Sequence, residues 1–493
     1  MALVLIPQSL AYAQVAGFPP IHGLYAAALP PLIAAFFASS PYLQTGPVAL
    51  TALLSFGVLS SVAVPGSDEY IALGLLLAMI VGVVRGGLGL VRAGPLAYLM
   101  SQPMLLGFIP AATILIIATQ LPGGFGVSKL VPGDGILEDA AWSLGHPGSW
   151  EIVSIVLAGL IILLVSAGPR LHRLFPAVLI AVAAGVAYSS FADYGGTTVG
   201  EIPAGLPPLG FDVPWGELPS LLLGGAVIAL VGFAEPASIA RTFAARERSR
   251  WDANREFVSQ GAANIAAAVS GGFPVGGSFS RSALNRMSGA RTRWSGAVTG
   301  ITVLVFLPFA SVVEPLPRAV LSAIVIGAVL PLVRLGPLVR LWRHSKPQFV
   351  VGWATFGLTL VLAPDVQWAV LAGIALALGV HLTRELTLDI HARADDVTLH
   401  IRPSGVLWFG SANVLEDRFV ELLAIHGDVS RLKVYLGGVG RVDLSGALAL
   451  RRIVQDARAA GLEVELVDVP PRARRWVRTL IEPDADPIES AKD

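Results

Sequence analysis

Gly46-Pro47-Val48-Ala49 is one of two stretches that decide the fold, and Phe273-Pro274-Val275-Gly276 is the other. Each interrupts an apolar run at a proline, and the two prolines lie 227 positions apart. Inside a lipid bilayer an unpaired backbone group costs several kcal/mol, so non-helical backbone persists there only where it lines a protein cavity. Matching interruptions in the two halves of a membrane chain therefore point to one central site between them.

The composition is that of a membrane protein. Of the 493 residues, 54% are hydrophobic and only 14% are charged, whereas soluble proteins carry roughly 25% charged residues. The formal net charge of zero gives no support for binding to nucleic acid. The chain has no cysteine and no metal-ligand, phosphate-loop or hydrolase motif, so we expect no metal, no cofactor and no enzyme activity.

Apolar runs predict an α-helical polytopic membrane domain over residues 1–390. A transmembrane helix needs about 20 apolar residues, and on that basis we expect about fourteen spans. Charged residues become frequent beyond this domain, which predicts a soluble domain over 395–482 and a disordered acidic tail over 483–493. The runs lie near 1–15, 20–38, 46–62, 68–92, 94–120, 148–168, 176–192, 218–243, 257–271, 276–290, 292–313, 317–337, 344–362 and 364–388.

The basic residues set the orientation. With the N-terminus inside, most Lys and Arg fall at predicted inner ends, Arg85 and Arg92 among them, whereas the predicted outer loops hold only Lys129 and Arg318. An even number of spans then places both termini in the cytoplasm.

The spacing of the two breaks predicts an internal repeat. An offset of 227 places Gln8 opposite Glu235, and each of these polar residues adjoins a proline, Pro7 or Pro236. We expect repeats over about 1–192 and 218–388 with seven spans each, and an odd number inverts the second repeat.

Glu235 is interpreted as the only acid well inside an apolar span. A charge at mid-membrane costs about 2.5–3.5 kcal/mol on insertion scales, which marks the residue as a functional candidate. One interpretation is a carboxylate that couples transport to a proton or another ion. The other is a structural hydrogen bond or ion pair to a neighbouring helix.

The segment from Gly277 to Arg281 follows the second break and predicts an anion site. Helix N-terminal N–H groups, the hydroxyls of Ser278 and Ser280 and the Arg281 guanidinium can converge there on one anion. A facing half-helix that starts near Val48 and Ala49 adds a second positive helix end, which disfavours cations. The alternative is that Arg281 only neutralises Glu235 or another acid.

Gln8 and Tyr12 lie one helical turn apart and predict one polar face of the first span. They are candidates for hydrogen bonds to the ligand and for an aromatic wall. Ordinary packing is the alternative for Tyr12.

Ordered motifs in both halves match a known pattern. They are Pro7-Gln8-Ser9-Leu10-Ala11-Tyr12-Ala13, Gly23-Leu24-Tyr25-Ala26-Ala27, Thr45-Gly46-Pro47, Gly271-Gly272-Phe273-Pro274-Val275 and Ser278-Phe279-Ser280-Arg281-Ser282. They closely resemble the sulfate permease family of anion transporters, over nearly the whole chain. The resemblance implies a core domain that moves against a gate domain, a C-terminal STAS domain and a homodimer. It also implies that Gln8, Tyr12, Pro47, Val48, Ala49, Glu235, Gly277, Ser278, Phe279, Ser280 and Arg281 line the central site.

The soluble end fits a STAS domain independently, because strands and helices alternate. Strands are predicted at 397–401, 406–409, 432–436 and 462–467, and a helix at 446–460. The loop Asp443-Leu444-Ser445-Gly446 resembles the Asp-Ser-Ser-Gly loop of anti-sigma-factor antagonists, but Leu444 replaces the first serine. We therefore expect a structural or trafficking role for this domain, with a cytoplasmic partner, rather than a phosphorylation switch at Ser445.

The resulting hypothesis is a secondary active anion transporter of a bacterial inner (plasma) membrane. Substrate is expected between half-helices that start near Val48 and Gly276, with alternating access and a co-transported proton or sodium ion. Sulfate, bicarbonate and C4-dicarboxylates such as fumarate all lie within the family's range. The alternatives are an anion channel, a nucleobase–proton symporter of the same architecture, and a membrane-tethered regulatory protein whose STAS domain binds a partner. Met1 lies six residues before Pro7, so we also expect a short first helix.

Overall fold

The computed structural model describes residues 1–98, 100–127, 135–172, 174–192, 194–210 and 212–481. The chain forms two compact units, Met1–Ala377 and Leu378–Asp493. The predicted tail over 483–493 lies outside the described residues.

In its described residues, the first half of the membrane domain contains eight α-helices and one very short strand. The helices are α1 (Ala2–Val15), α2 (Pro20–Phe37), α3 (Ala49–Ser60), α4 (Asp68–Leu90), α5 (Gln102–Gly124), α6 (Ile136–Gly145), α7 (Ile152–Leu171) and α8 (Ala177–Phe191), and the strand is β1 (Thr45–Gly46).

The second half repeats this order. Its elements are α9 (Leu218–Arg246), α10 (Ala253–Val269), β2 (Gly276–Gly277), α11 (Phe279–Met287), α12 (Trp294–Phe306), α13 (Arg318–Val329), α14 (Gly336–His344), α15 (Lys346–Val361) and α16 (Val366–Leu386). In each half a strand precedes the third helix and the sixth helix is short. This order confirms the predicted pair of seven-span repeats.

Each predicted apolar run corresponds to a helix. Seven described segments are long and apolar enough to cross a membrane, and α1, α3, α7 and α8 are shorter apolar helices. The remaining three are the polar α10, the half-helix α11 and the 16-residue α15. Helix α1 has 14 residues. The sequence did not predict α6 and α14, because they have only 10 and 9 residues and carry charged side chains.

Strand β2 corrects the predicted start of the half-helix at the second break. Helix α3 starts at Ala49, as predicted, but α11 starts at Phe279 and not near Gly276. The two helix starts therefore differ by 230 positions rather than 227. The cause is that β1 precedes Pro47, whereas β2 follows Pro274 and uses two residues before the helix begins.

Helix packing divides the membrane unit into two groups. In one group, which we call the core, α10 packs against α2 and α4, α12 packs against α2, and α9 packs against α4. In the other, which we call the gate, α5 packs against α13 and α15, and α7 packs against α8 and α13. Each group takes helices from both repeats, and both breaks lie in the core.

The soluble unit is an α/β domain, as predicted. The sheet has the order β3-β4-β5-β7 with β6 also paired to β4, and all pairs are parallel except β3 with β4. Its elements are β3 (Asp389–Asp395), β4 (Thr398–Leu407), α17 (Ala412–Ile425), β5 (Arg431–Tyr435), β6 (Val439–Val442), α18 (Leu444–Ala459), β7 (Glu463–Val467) and α19 (Pro471–Trp476).

Two details of this unit differ from the prediction. The sheet starts with β3 at Asp389, ahead of the expected start at 395, because β3 pairs with β4 as a hairpin. Strand β4 is continuous where two strands are predicted. The gap between the two predicted strands contains Gly405, which has φ 130° and lies at a register shift within β4. The Asp443 side chain accepts a hydrogen bond from the Gly446 N–H at 2.8 Å, so the loop before Ser445 is a helix cap.

Candidate functional site

The two breaks meet in a two-residue antiparallel ladder. Thr45 lies opposite Gly277, and Gly46 lies opposite Gly276. Gly46 has φ 147°, a conformation that favours glycine, and the Ser278 N–H extends the ladder by donating to the Gln44 carbonyl at 3.1 Å. Because α3 and α11 both begin next to this ladder, their N-termini lie at one site.

Helix α3 presents an uncapped N-terminus. Its N-cap residue Val48 is extended, and no side chain accepts a hydrogen bond from the first turn. The first N–H groups of a helix have no intrahelical acceptor and carry the positive end of the helix dipole. Ala49 and Leu50 are only half-buried, so this end offers apolar side chains and free N–H donors to a ligand.

Helix α11 presents a polar N-terminus. The Ser278 hydroxyl accepts from the Arg281 N–H at 3.5 Å and lies 3.2 Å from the Ser280 hydroxyl. Ser280 is exposed, whereas Ser278 is buried. The Phe279 ring stacks on Phe243, so Phe279 contributes its N–H to the site rather than its side chain.

Glu235 of α9 lies at the start of α11. Its carboxylate Oε1 accepts a hydrogen bond from the Phe279 N–H at 3.3 Å, and its side chain is partly exposed. A carboxylate is stabilised at the positive end of a helix. The Glu235 carboxylate thus occupies a position at the N-terminus of α11 that an anionic ligand would also favour.

Arg281 joins the first break to α1. Its guanidinium Nη2 donates to the Pro47 carbonyl at 2.8 Å and Nη1 donates to the Gln8 amide oxygen at 3.3 Å. The side chain is only 2% exposed, and its Nε has no hydrogen-bond partner. Arg281 and Glu235 are close enough to interact electrostatically but form no ion pair within 4.0 Å in the described residues. Simple neutralisation of Glu235 is therefore not what holds Arg281.

The structure brings the predicted residues together with differing roles. Gln8 and Tyr12 are buried on α1, and Tyr12 lies within electrostatic range of both Arg281 and Glu235. Gly277 serves close packing, because a Cβ there would lie 2.7 Å from Leu43. Pro47 contributes its carbonyl to Arg281.

Sequence reasoning did not predict the burial of Arg85. It is fully buried on α4, and a Cβ at Gly232 of α9 would lie 2.5 Å from its Nη2. Asn264 was missed altogether, although its side chain binds both the N–H and the carbonyl of Val275, at 2.9 and 3.1 Å. The polar pair Gln260 and Asn264, one turn apart in an alanine-rich helix, is the sequence signal for this region.

Glu256 is a buried acid that was not among the predicted site residues. It is fully buried in the first turn of α10 and accepts hydrogen bonds from the Ser40 N–H at 2.9 Å and the Ser39 N–H at 3.2 Å. It was missed because the apolar run was predicted to begin at 257, one residue later. The described residues contain no cluster of three or more metal-ligating side chains.

Models of known families match both parts of the chain. The model of the sulfate permease family matches residues 1–355, and that of the STAS domain matches residues 389–484. The chain belongs to the sulfate permease family. It is therefore an anion transporter and not an enzyme, as predicted, and its multi-pass membrane fold is that of the family.

Named relatives of this sulfate permease come from bacteria and plants. A probable sulfate transporter of Mycobacterium tuberculosis is 35% identical over 77% of this chain and 68% of its own length. High affinity sulfate transporter 2 of Stylosanthes hamata is 30% identical over 96% of this chain and 78% of its own length. Sulfate transporter 4.1 of Arabidopsis thaliana, a chloroplast protein, is 29% identical over 94% and 73%.

Solved structures share the fold of this sulfate permease. The inward-facing murine Solute Carrier 26 family member A9 anion transporter has a TM-score of 0.88 at 19% identity and covers 98% of this chain and 86% of its own. The transmembrane domain of the cyanobacterial bicarbonate transporter BicA has a TM-score of 0.66 at 23% identity, over 74% of this chain and 94% of its own.

Proposed function

We propose that this sulfate permease is a secondary active transporter that binds its anion between the N-termini of α3 and α11. The observation that carries the proposal is the ladder between Thr45–Gly46 and Gly276–Gly277, beside which both helices start. Two positive helix ends and the buried Arg281 favour an anion and disfavour a cation at this place. A neutral nucleobase would gain little from such a field.

Sulfate is the proposed substrate. Support comes from the names of the relatives, which are sulfate transporters in a bacterium and in plants. Bicarbonate and C4-dicarboxylates such as fumarate carry the same sign of charge and fit the same donors.

Glu235 is the proposed coupling residue, with a proton as the coupled ion and sodium as the alternative. While ionised, its carboxylate competes with the substrate for the Phe279 N–H and repels it. A bound proton removes that charge and frees the N–H, so proton and anion bind together. Because the proton and the anion bind together, they are transported together.

Alternating access is the proposed motion, with the core moving against the gate. Both breaks, Arg281 and Glu235 lie in the core, so the site moves as one body. We further propose a bacterial plasma-membrane location, cytoplasmic termini, a homodimer and a cytoplasmic partner for the STAS domain. The end of the membrane domain near 390 and the end of the soluble domain at 482 remain proposals of the same kind.

Uptake into liposomes tests the proposal. Labelled sulfate, bicarbonate and fumarate are offered with and without an inward proton gradient, and we expect sulfate to accumulate above equilibrium only with the gradient. Conductance without accumulation would identify a channel instead. Accumulation of uracil but of none of the anions would favour the nucleobase symporter.

A further inference from the structure

Arg85 is a buried cation with no acidic partner. It lies on α4 with 0% of its side chain exposed, and no carboxylate of the described residues lies within 4.0 Å of it. Removing a charge from water costs several kcal/mol, so an intramembrane arginine held in this way is a functional candidate.

All three hydrogen bonds of Arg85 go to backbone carbonyls. Its Nε donates to Ala229 at 3.0 Å, its Nη2 to Ile228 at 3.1 Å and its Nη1 to Val275 at 2.8 Å. The first two acceptors belong to α9, and the third lies in the second break. Arg85 therefore ties three segments, α4, α9 and the break, to one rigid planar group.

Val275 precedes β2, which leads directly into α11. Its carbonyl receives two donors, Arg85 and the Asn264 side chain, and its N–H binds Asn264. The position of Val275 thus determines where the ladder and the N-terminus of α11 lie.

The two buried arginines are arranged crosswise. Arg281 follows the second break but binds the Pro47 carbonyl of the first, whereas Arg85 follows the first break and binds the Val275 carbonyl of the second. Each repeat thus supplies the guanidinium that fixes the other repeat's break.

We infer that Arg85 is a positioning residue for the anion site: it holds the second break so that α11 points its N-terminus at the ligand. This inference rests on the proposed function for its ligand. It differs from the role of Arg281, because Arg85 acts through Val275 and does not face the site. Gly232 leaves the space that the Arg85 guanidinium occupies, since a Cβ there would lie 2.5 Å from Nη2 of Arg85.

Two variants test the inference. Arg85→Lys keeps the charge, but one ammonium group lacks the planar fork that reaches Ala229, Ile228 and Val275 together. Gly232→Ala leaves Arg85 intact and displaces its guanidinium, and the new Cβ would also lie 3.0 Å from the Thr51 side chain of α3. Arg92→Lys, at the exposed end of α4, and Gly87→Ala, where a Cβ meets nothing within 4 Å, are the matched controls.

The readouts are the KM for labelled sulfate in liposomes and hydrogen–deuterium exchange over residues 273–280. We expect both variants to raise KM by about 10- to 100-fold, the usual effect of misplacing binding groups by about 1 Å, and to speed exchange in that segment. Both controls should match the wild type. A role in stability alone would lower the amount of folded protein and Vmax without moving KM.

The inference is overturned if the folded variants keep the wild-type KM and exchange rate, or if neither variant folds while both controls do. If Arg85→Lys alone fails to fold, Gly232→Ala decides. If the wild type neither binds nor transports sulfate, the proposed substrate is wrong, and the exchange comparison still tests whether Arg85 holds the break.

Discussion

At the first break, α3 begins with an extended valine, no capping side chain and small apolar neighbours. At the second, α11 begins with a serine cap, a second hydroxyl and the carboxylate of Glu235 on its first N–H. The two breaks share one ladder and one repeat pattern, yet they differ in chemistry. The difference teaches that symmetry supplies the two helix ends, while the polar and charged side chains are concentrated at one of them.

The largest expected effect comes from removing the charge at the second break. Glu235→Gln should abolish proton-driven sulfate accumulation while leaving downhill exchange of sulfate intact, because the amide cannot gain or lose a proton. Uptake into liposomes with and without a proton gradient measures this. Glu247→Gln changes an exposed acid just beyond the end of α9 and serves as the control. Unchanged proton-driven accumulation in Glu235→Gln would refute the coupling role.

Removing the link between the breaks should have the next largest effect. Arg281→Ala deletes the hydrogen bonds to Pro47 and Gln8 and removes the buried positive charge that favours an anion at this site. We expect sulfate affinity to fall about tenfold or more, since a free-energy loss of about 1.4 kcal/mol corresponds to a factor of ten. Isothermal titration in nanodiscs measures it.

Arg286→Ala is the matched control for Arg281→Ala, because Arg286 lies on the same helix and pairs with Glu247 in a surface ion pair. The control should retain wild-type affinity. An unaltered affinity in Arg281→Ala would remove Arg281 from the site.

Making the first break resemble the second should have a smaller effect. Val48→Thr keeps the branched shape of the N-cap side chain and adds a hydroxyl that accepts from the first turn of α3. A side-chain cap contributes about 1 kcal/mol, so competition with the anion should weaken sulfate binding by about fivefold. Titration with sulfate measures this, with Val62→Thr at the exposed turn after α3 as the control. If affinity does not change while thermal stability rises, the α3 end does not contact the anion.

The smallest effect is expected outside the membrane unit. Truncation after Leu388 removes the whole sheet, which begins at Asp389, and leaves both breaks intact. Transport per folded molecule should stay within about twofold, because no residue of the site lies in the part removed. Initial rates in liposomes, normalised to folded protein, check this. A complete loss of transport from a folded truncated chain would assign the STAS domain a role in the transport cycle.

Most of the fold and part of the site could be predicted from the sequence. Hydropathy located the spans, because a run of about 20 apolar residues is typical of a membrane helix, and the proline breaks located the two half-helices. The start of α11 was misplaced because Gly276 and Gly277 fit a helix start and a short strand equally well. The partners of Arg281 and the burial of Arg85 depend on segments more than 140 residues away, and spacing along a chain does not report such contacts.

The crosswise hydrogen bonds of Arg85 and Arg281 also affect when the site can form during synthesis of the chain. The guanidinium that binds the Pro47 carbonyl is synthesised 234 residues after it, and the Val275 carbonyl that binds Arg85 is synthesised 190 residues after Arg85. The first repeat therefore leaves the ribosome with its own break incomplete. Assembly of the site is therefore a late event in biogenesis, and the first repeat, produced alone, would insert as helices with an unfinished centre.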